Sequence, residues 1–509
     1  MVAYVLRRLL ISIGVFFVAT FMMYLLVANA GDPLEDLYGI TDPGDRAARI
    51  ASRTEIMQLN TPVVERYFDW LGGLLSFLWG QGTLGVNRTG QAIEPLLGLA
   101  LGSTLRLVVL ATVLAIVTGV AVGIVSALRQ YTSFDYTITF FSFVFFSLPI
   151  FWAAVLLKQF GAIAFNDWLG DPVVPLPVMV VLAVLGGLLA VSLVGGRTWA
   201  RRGASFAGGA VVVLGVLLVL SQTDFLARPT LGPAGVSVLG LAAAVGITAL
   251  VSGLANRRVL IASLAGAVVG IIVYVSTVGV LGDPTWPFLI GLFVLTLVLA
   301  GGVGFGVGGI DRGRAARAAV LSAAVVAALS FVDWLMFAWP AYVSSSLGRP
   351  IATIGSNTPN FTGTLWETTL DSLTHLVLPS VTLVLISFAQ YTRYTRSSML
   401  ETMNQDYVRT ARSKGLTERT VIMRHAFRNA LIPVTTLVAL DFAAIVGGAV
   451  ITERIFGWRG MGSLFIEGIY TVDPPPVMAF FVVAAAAVLL LNIVADLVYA
   501  YLDPRIRLS

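Results

Sequence analysis

The chain has 509 residues, of which 57% are hydrophobic and 12% charged, and its formal net charge is +5. A soluble domain carries roughly 25% charged residues, so this composition cannot cover a water-facing surface and points to a protein whose solvent is lipid. There is no cysteine, which excludes disulfides, thiolate catalysis and cysteine metal sites.

Apolar runs recur from end to end, each long enough to cross a hydrocarbon core of about 30 Å as a helix. In lipid the backbone must satisfy its own polar groups, so these runs read as helices; the alternation of a membrane β-barrel is missing. The first run, 9–29, follows Arg7 and Arg8. Ala28-Asn29-Ala30 resembles a signal-peptidase site, but the run exceeds the roughly 7–15 apolar residues of a signal peptide, and an uncleaved span is expected. Eleven more follow near 103–127, 136–157, 175–196, 206–221, 235–254, 259–281, 287–309, 316–337, 373–392, 430–452 and 477–502. The expected fold is therefore all-α and polytopic, with about twelve spans.

Charge gives the spans a direction. With Arg7 and Arg8 on the cytoplasmic side, alternate loops should be basic. They are: Arg129, then Arg197, Arg201 and Arg202, then Arg257 and Arg258, then Arg312, Arg314 and Arg317, then the loop after the tenth span, then Arg505 and Arg507. The opposite loop, 31–103, holds nine acids against five arginines. Both termini are thus expected in the cytoplasm. The arginines sit in short loops between apolar runs, which speaks for membrane topology and against nucleic acid. Composition also divides the chain. Residues 1–102 hold the first span and a long external loop, 103–166 and 340–509 carry patterned loops, and 167–339 is an Ala-, Val-, Leu- and Gly-rich block of six closely spaced spans, read as an insertion.

Several chemistries are absent. Lys158 and Lys414 are the only lysines, and neither precedes Ser or Thr, so a P-loop cannot form; ATP hydrolysis would have to come from a partner. His375 and His425 are the only histidines, which rules out an HExxH zinc site. Gly302, Gly304, Gly306, Gly308 and Gly309 lie at a span end with no strand beside them, and read as helix packing rather than a nucleotide loop. No cofactor, metal or catalytic residue is expected. The acids inside spans are Asp333, Asp441 and Asp496, read as packing or capping groups. An ion-coupled carrier, which would use such acids as relays, is the second reading.

The loop between the tenth and eleventh spans carries the most information. Helix is expected from Gln405 to Lys414, a stop at Gly415, and a second helix from Thr417–Glu418 into the next span. A basic loop serving only topology would need charges but not this helix-turn-helix. The stretch Tyr407-Val-Arg409-Thr-Ala411-Arg412-Ser-Lys414-Gly415-Leu416, with Arg424-His425-Ala-Phe-Arg-Asn429-Ala-Leu-Ile-Pro433 after it, resembles the permease subunits of dipeptide and oligopeptide ABC importers. So do Tyr4-Val-Leu-Arg7-Arg8, Gly31-Asp32-Pro33, Gly82-Thr-Leu-Gly85, Ser147-Leu-Pro149 and His375-Leu-Val-Leu-Pro379. Further on, so do Gly447-Gly448-Ala449, Glu453-Arg-Ile-Phe456, Gly460-Met-Gly462, Asn492-Ile-Val-Ala-Asp496 and Leu502-Asp503-Pro504-Arg505. The likeness covers roughly 1–165 and 340–509.

That resemblance implies a six-span core working with a second, homologous permease chain, two cytoplasmic ATP-binding subunits and an extracytoplasmic substrate-binding protein in the cytoplasmic (inner) membrane. It implies that the helix at Tyr407–Gly415 docks in a cleft of an ATP-binding subunit, with Arg409 and Arg412 touching that surface and Ala411 and Gly415 allowing close approach. Arg409 stands where many importer permeases carry glutamate, which the peptide branch commonly lacks. The block 167–339 is a departure from the family. It is read as a lipid-facing scaffold, with a docking site for a partner as the alternative.

Overall fold

The computed structural model describes residues 2–194 and 198–502; for residues 2–12, 224, 439–440, 442–448 and 491–502 it describes the backbone alone. Helices run in the order α1 (Val2–Ala28), α2 (Pro43–Ile56), α3 (Val63–Leu78), α4 (Ile93–Leu128), α5 (Ser133–Ser147), α6 (Ile150–Leu156), α7 (Ala164–Leu169), α8 (Leu176–Val194), α9 (Trp199–Gln222) and α10 (Gly232–Val251). They continue with α11 (Arg257–Thr277), α12 (Trp286–Val307), α13 (Arg312–Ser345), α14 (Leu365–Met403), α15 (Asp406–Ser413), α16 (Glu418–Thr420), α17 (Phe427–Ile455), α18 (Met461–Tyr470) and α19 (Pro474–Leu502). A π-helical stretch, Leu157–Ile163, joins α6 to α7, and another, Val421–Ala426, leads into α17.

Every predicted span overlaps a helix among the described residues. Among the described residues eight helices, α4 and α8 to α14, are long and apolar enough to cross a membrane. The third predicted span, 136–157, is not straight: α5 and the helix from Ile150 meet at 103°. Pro149 explains this, because a proline disfavours helix in the residue before it. Leu148 is accordingly extended, with ψ 121°. The short span expected at 206–221 lies within the longer α9.

The helices pack as two compact units. The first comprises Met1–Gly161, Thr353–Ser356 and Leu376–Ser509; the second comprises Ala162–Ala352 and Asn357–His375. The block 167–339 falls wholly within the second.

In the first unit α4 lies close against α14. A methyl group on Gly119 would sit 2.7 Å from Tyr391 Cβ, and one on Gly123 would sit 2.8 Å from the Thr392 carbonyl oxygen. Toward the α1 and α3 end, Tyr67 is wholly buried among Tyr24, Trp70, Leu74 and Leu84, and its hydroxyl meets Thr20 Oγ1 at 3.0 Å.

In the second unit α13 packs along α10, α11 and α12, through small residues rather than large ones. This is how helices approach in lipid, where apolar side chains gain nothing from meeting each other rather than acyl chains. Gly304 and Gly308 of the glycine run pack on Ala315 and Ala319, as a packing role requires. Ser263 Oγ meets Ser322 Oγ at 2.7 Å and donates to the Ala244 carbonyl at 2.8 Å. Asp333 accepts the N–H groups of Leu231 (2.7 Å) and Gly232 (2.9 Å) and the hydroxyls of Thr230 and Tyr274. It thus caps the start of α10, the structural role expected of it. A methyl group on Gly266 would lie 2.4 Å from the Ala319 carbonyl oxygen. Gly266→Val is therefore expected to lower stability by about 1–3 kcal/mol, read as a drop in the thermal midpoint of the detergent-purified protein. Gly246, with open space around it, should accept alanine with no such loss.

Candidate functional site

The helix-turn-helix expected after the tenth span is present. Gln405, extended with ψ 150°, precedes α15, and the helix closes at Lys414, whose N–H reaches the Thr410 carbonyl at 3.1 Å. Gly415 then takes φ +76°, and its N–H reaches the Arg412 carbonyl at 2.9 Å. A left-handed residue at this place ends a helix, and glycine adopts that conformation without a Cβ clash.

The helix is amphipathic, and burial assigns its faces. Val408 and Ala411, three residues apart and so on one side, pack on Ala127, Met399, Val421, Ala426 and Ala430. Tyr407, Arg409, Arg412, Lys414, Gly415 and Leu416 face outward. Ala411 was expected on the approach surface. It lies inward instead, 5% exposed, because with Val408 it supplies the only apolar stripe that can hold so short a helix to the body. Arg412 pairs with Glu418 at 2.8 Å across the turn, and that guanidinium holds the Glu418 carboxyl below its usual range. Arg409 stands 3.8 Å from Asp406. His425 is half-buried in the π-helical stretch, Asn429 Nδ2 donates to its carbonyl at 3.4 Å, and Pro433 is exposed on α17.

Two buried polar nodes brace this unit. Glu453, near the end of α17, is fully buried. It accepts Thr104 Oγ1 at 2.6 Å and the N–H groups of Gly462 and Ser463 at 2.7 and 3.2 Å. A carboxylate there satisfies the free donors at the start of α18. The glycines of the Gly460-Met-Gly462 motif leave it room: a methyl group on Gly460 would lie 2.4 Å from Glu453 Oε1. Phe456, 2% exposed, presents its carbonyl to the Gly355 N–H at 2.8 Å.

The second node went unrecognised in the sequence. Asp135, 2% exposed, receives Arg396 through Nε at 2.6 Å and Nη2 at 2.8 Å, together with the Tyr131 N–H at 3.0 Å and the Ser126 hydroxyl. In the sequence Arg396 is one of several basic residues in the loop after the tenth span. The available signal was a lone acid opening a helix beside a basic loop. Arg396→Ala is expected to cost roughly 3–5 kcal/mol, since it leaves a buried carboxylate unpaired, measured by denaturation of the purified protein. The double variant Asp135→Asn/Arg396→Met should recover part of that loss.

Pro149 forms the bend described above, and Pro379 lies within α14, which continues through it. Gly448, Asn492 and Asp496 lie on α17 and α19, where side chains are outside the described residues; Asp503, Pro504 and Arg505 lie outside the described residues altogether.

With eight helices among the described residues long and apolar enough to cross a membrane, the chain is a multi-pass membrane protein. Residues 336–508 match the family model of the binding-protein-dependent transport system inner membrane component. The chain is 43% identical over 155 residues to the oligopeptide transport system permease protein OppB of Mycobacterium tuberculosis, covering 30% of this chain and 48% of that protein. It is 43% identical over 136 residues to the oligopeptide transport system permease protein AppB of Bacillus subtilis, covering 27% of this chain and 43% of that protein. To the dipeptide transport system permease protein DppB of Escherichia coli K12 it is 43% identical over 138 residues, 27% of this chain and 41% of that protein. The matches thus span about half the length of these relatives or less.

Proposed function

We propose that the chain is one channel-forming subunit of an ATP-binding-cassette importer in the cytoplasmic membrane, carrying di- or oligopeptides. The observation that carries the reading is α15: a short helix held to the body by Val408 and Ala411, offering outward a compact face of Tyr407, Arg409, Arg412, Lys414 and Gly415. In this reading the arginine-rich loops and both termini are cytoplasmic, in line with the positive-inside rule. The exposed face of α15 sits in a cleft of one of two ATP-binding subunits. Closure of those subunits on ATP pushes α15, and the turn at Gly415 and the π-helical stretch 421–426 pass that displacement to α17. A second, homologous permease chain completes the channel, and an extracytoplasmic binding protein delivers the peptide. The relatives named for oligopeptide and dipeptide transport support the substrate class.

Asp333 disfavours an ion-coupled carrier. Its carboxylate is engaged by two backbone N–H groups and two hydroxyls, whereas a relay needs a group free to exchange its proton. For the block 167–339 the reading is a lipid-facing scaffold, an insertion of six spans into a six-span core. Its small-residue packing and few polar side chains support this.

Reconstitution with the partner subunits into vesicles tests the function. Uptake of a labelled dipeptide that requires both ATP and the binding protein supports it; uptake driven by an ion gradient without ATP would overturn it. Deleting 167–339 should leave that uptake in place if the block is a scaffold.

A further inference from the structure

Between α1, α3, the loop at Thr83–Val86 and the loop before α19, the first unit forms an open cavity of about 230 Å³ whose lining includes Tyr24, Arg66, Asp69, Trp70, Thr83 and Asp473. Three polar atoms on these residues are buried and meet no protein partner: Asp473 Oδ1, Trp70 Nε1 and Arg66 Nε. Asp473 is 3% and Trp70 7% exposed. Native proteins pair nearly all buried polar atoms, and each exception asks for an explanation. The chemistry of the three is specific: one is a carboxylate oxygen lacking a donor, and two are N–H groups lacking acceptors. The other carboxylate oxygen, Asp473 Oδ2, is already taken by the Arg88 N–H at 2.7 Å.

We propose that this cavity is a binding site for a free α-amino acid, with the ligand ammonium on Asp473 Oδ1 and its carboxylate between Arg66 Nε and Trp70 Nε1. A zwitterion supplies a donor and an acceptor separated by one carbon, which is the complement of the three unpartnered atoms on the residues that line the cavity. Tyr24 and Trp70 also line the cavity, and aromatic rings favour a nearby cation; the volume admits a small side chain. Gln58, which lines the cavity, and Val472, next to Asp473 in the chain, both at φ +52°, hold left-handed backbone without being glycine. For a β-branched valine this is a true outlier, and such strain gathers at ligand sites. The binding does not depend on the transport reading and needs no partner subunit.

Burial also pushes the Asp473 carboxyl up to about 6. Arg88 and Arg53 oppose that rise and Glu467 adds to it, while Arg66, Asp69 and Tyr24 face the same cavity. Because the ammonium needs the ionised carboxylate, affinity should fall as the pH drops below about 6.

The test is calorimetric titration of the full-length protein in nanodiscs with L-alanine, alongside propionate, which lacks the ammonium, and ethylamine, which lacks the carboxylate. L-Alanine is expected to bind saturably, and each analogue about tenfold more weakly or worse, the loss of one charge-assisted contact. Asp473→Asn and Arg66→Gln should each weaken L-alanine by about the same factor. If either variant fails to fold, the analogue series on the wild-type protein still decides. Absence of saturable L-alanine binding, equal binding of the three compounds, or undiminished binding by a folded Asp473→Asn would overturn the proposal.

Discussion

Gly415→Asp is expected to abolish recovery of ATP-binding subunits with the purified chain while leaving the chain folded. A side chain at Gly415 meets nothing within 4 Å, so no packing is disturbed. The left-handed backbone at φ +76° adds a cost of about 1–2 kcal/mol for a residue with a Cβ, and aspartate is among the residues that bear it best. A carboxylate placed at the end of a face built from Arg409, Arg412 and Lys414 changes the charge presented to a partner and fills the approach that glycine leaves open. A central interface contact is worth roughly 2 kcal/mol or more, about thirtyfold in affinity. Pull-down from membranes, with size-exclusion chromatography as the folding control, reads the effect. Association retained by the variant would remove the turn from the docking surface.

Glu453→Ala is expected to act by the opposite route, on the fold rather than on a partner. It strands the N–H groups of Gly462 and Ser463 and the Thr104 hydroxyl, all three of which donate to a fully buried carboxylate. Each buried donor left unmade costs about 1–3 kcal/mol, so the variant should lose several kcal/mol and fall in yield. Glu453→Gln keeps one acceptor oxygen and should lose less. Thermal unfolding in detergent measures both, and an unchanged midpoint in Glu453→Ala would show that α18 does not depend on this cap.

The pH response of the folded state offers a further check. Because the folded protein holds the Asp473 proton up to about pH 6, above the ordinary carboxylate value of 3.8, it binds more protons than the unfolded chain between those values. The contribution of this group is therefore complete below about pH 4 and lost as pH rises through 6. Asp473→Asn should be relatively more stable than wild type at pH 7.5 than at pH 4.5, in denaturation curves at the two values.

Features that depend on neighbours in sequence were legible. Runs of about twenty apolar residues foretold helices, since lipid leaves the backbone no other arrangement, and a helix followed by Gly415 foretold a stop. Hydropathy averaged over a window does not register direction, so the run 136–157 read as one span although Pro149 turns it by 103°. The inward placement of Ala411 was present in its spacing from Val408 but was outweighed by its small size, which also suits a close approach. The pairings within the two polar nodes were not legible. Glu453 meets Thr104 across 349 residues and Arg396 meets Asp135 across 261, and no local pattern in one sequence links residues so far apart.

The proposed contact between the exposed face of α15 and an ATP-binding subunit can be tested directly. The chain has no cysteine, so Arg409→Cys supplies its single thiol, at a position that faces solvent. A short thiol crosslinker applied to membranes containing the whole transporter should join this position to an ATP-binding subunit, with a yield that changes when ATP is added. Wild-type protein should give no such product. No product from Arg409→Cys or from Arg412→Cys, in membranes where the variants still support uptake, would contradict docking of α15 on that subunit.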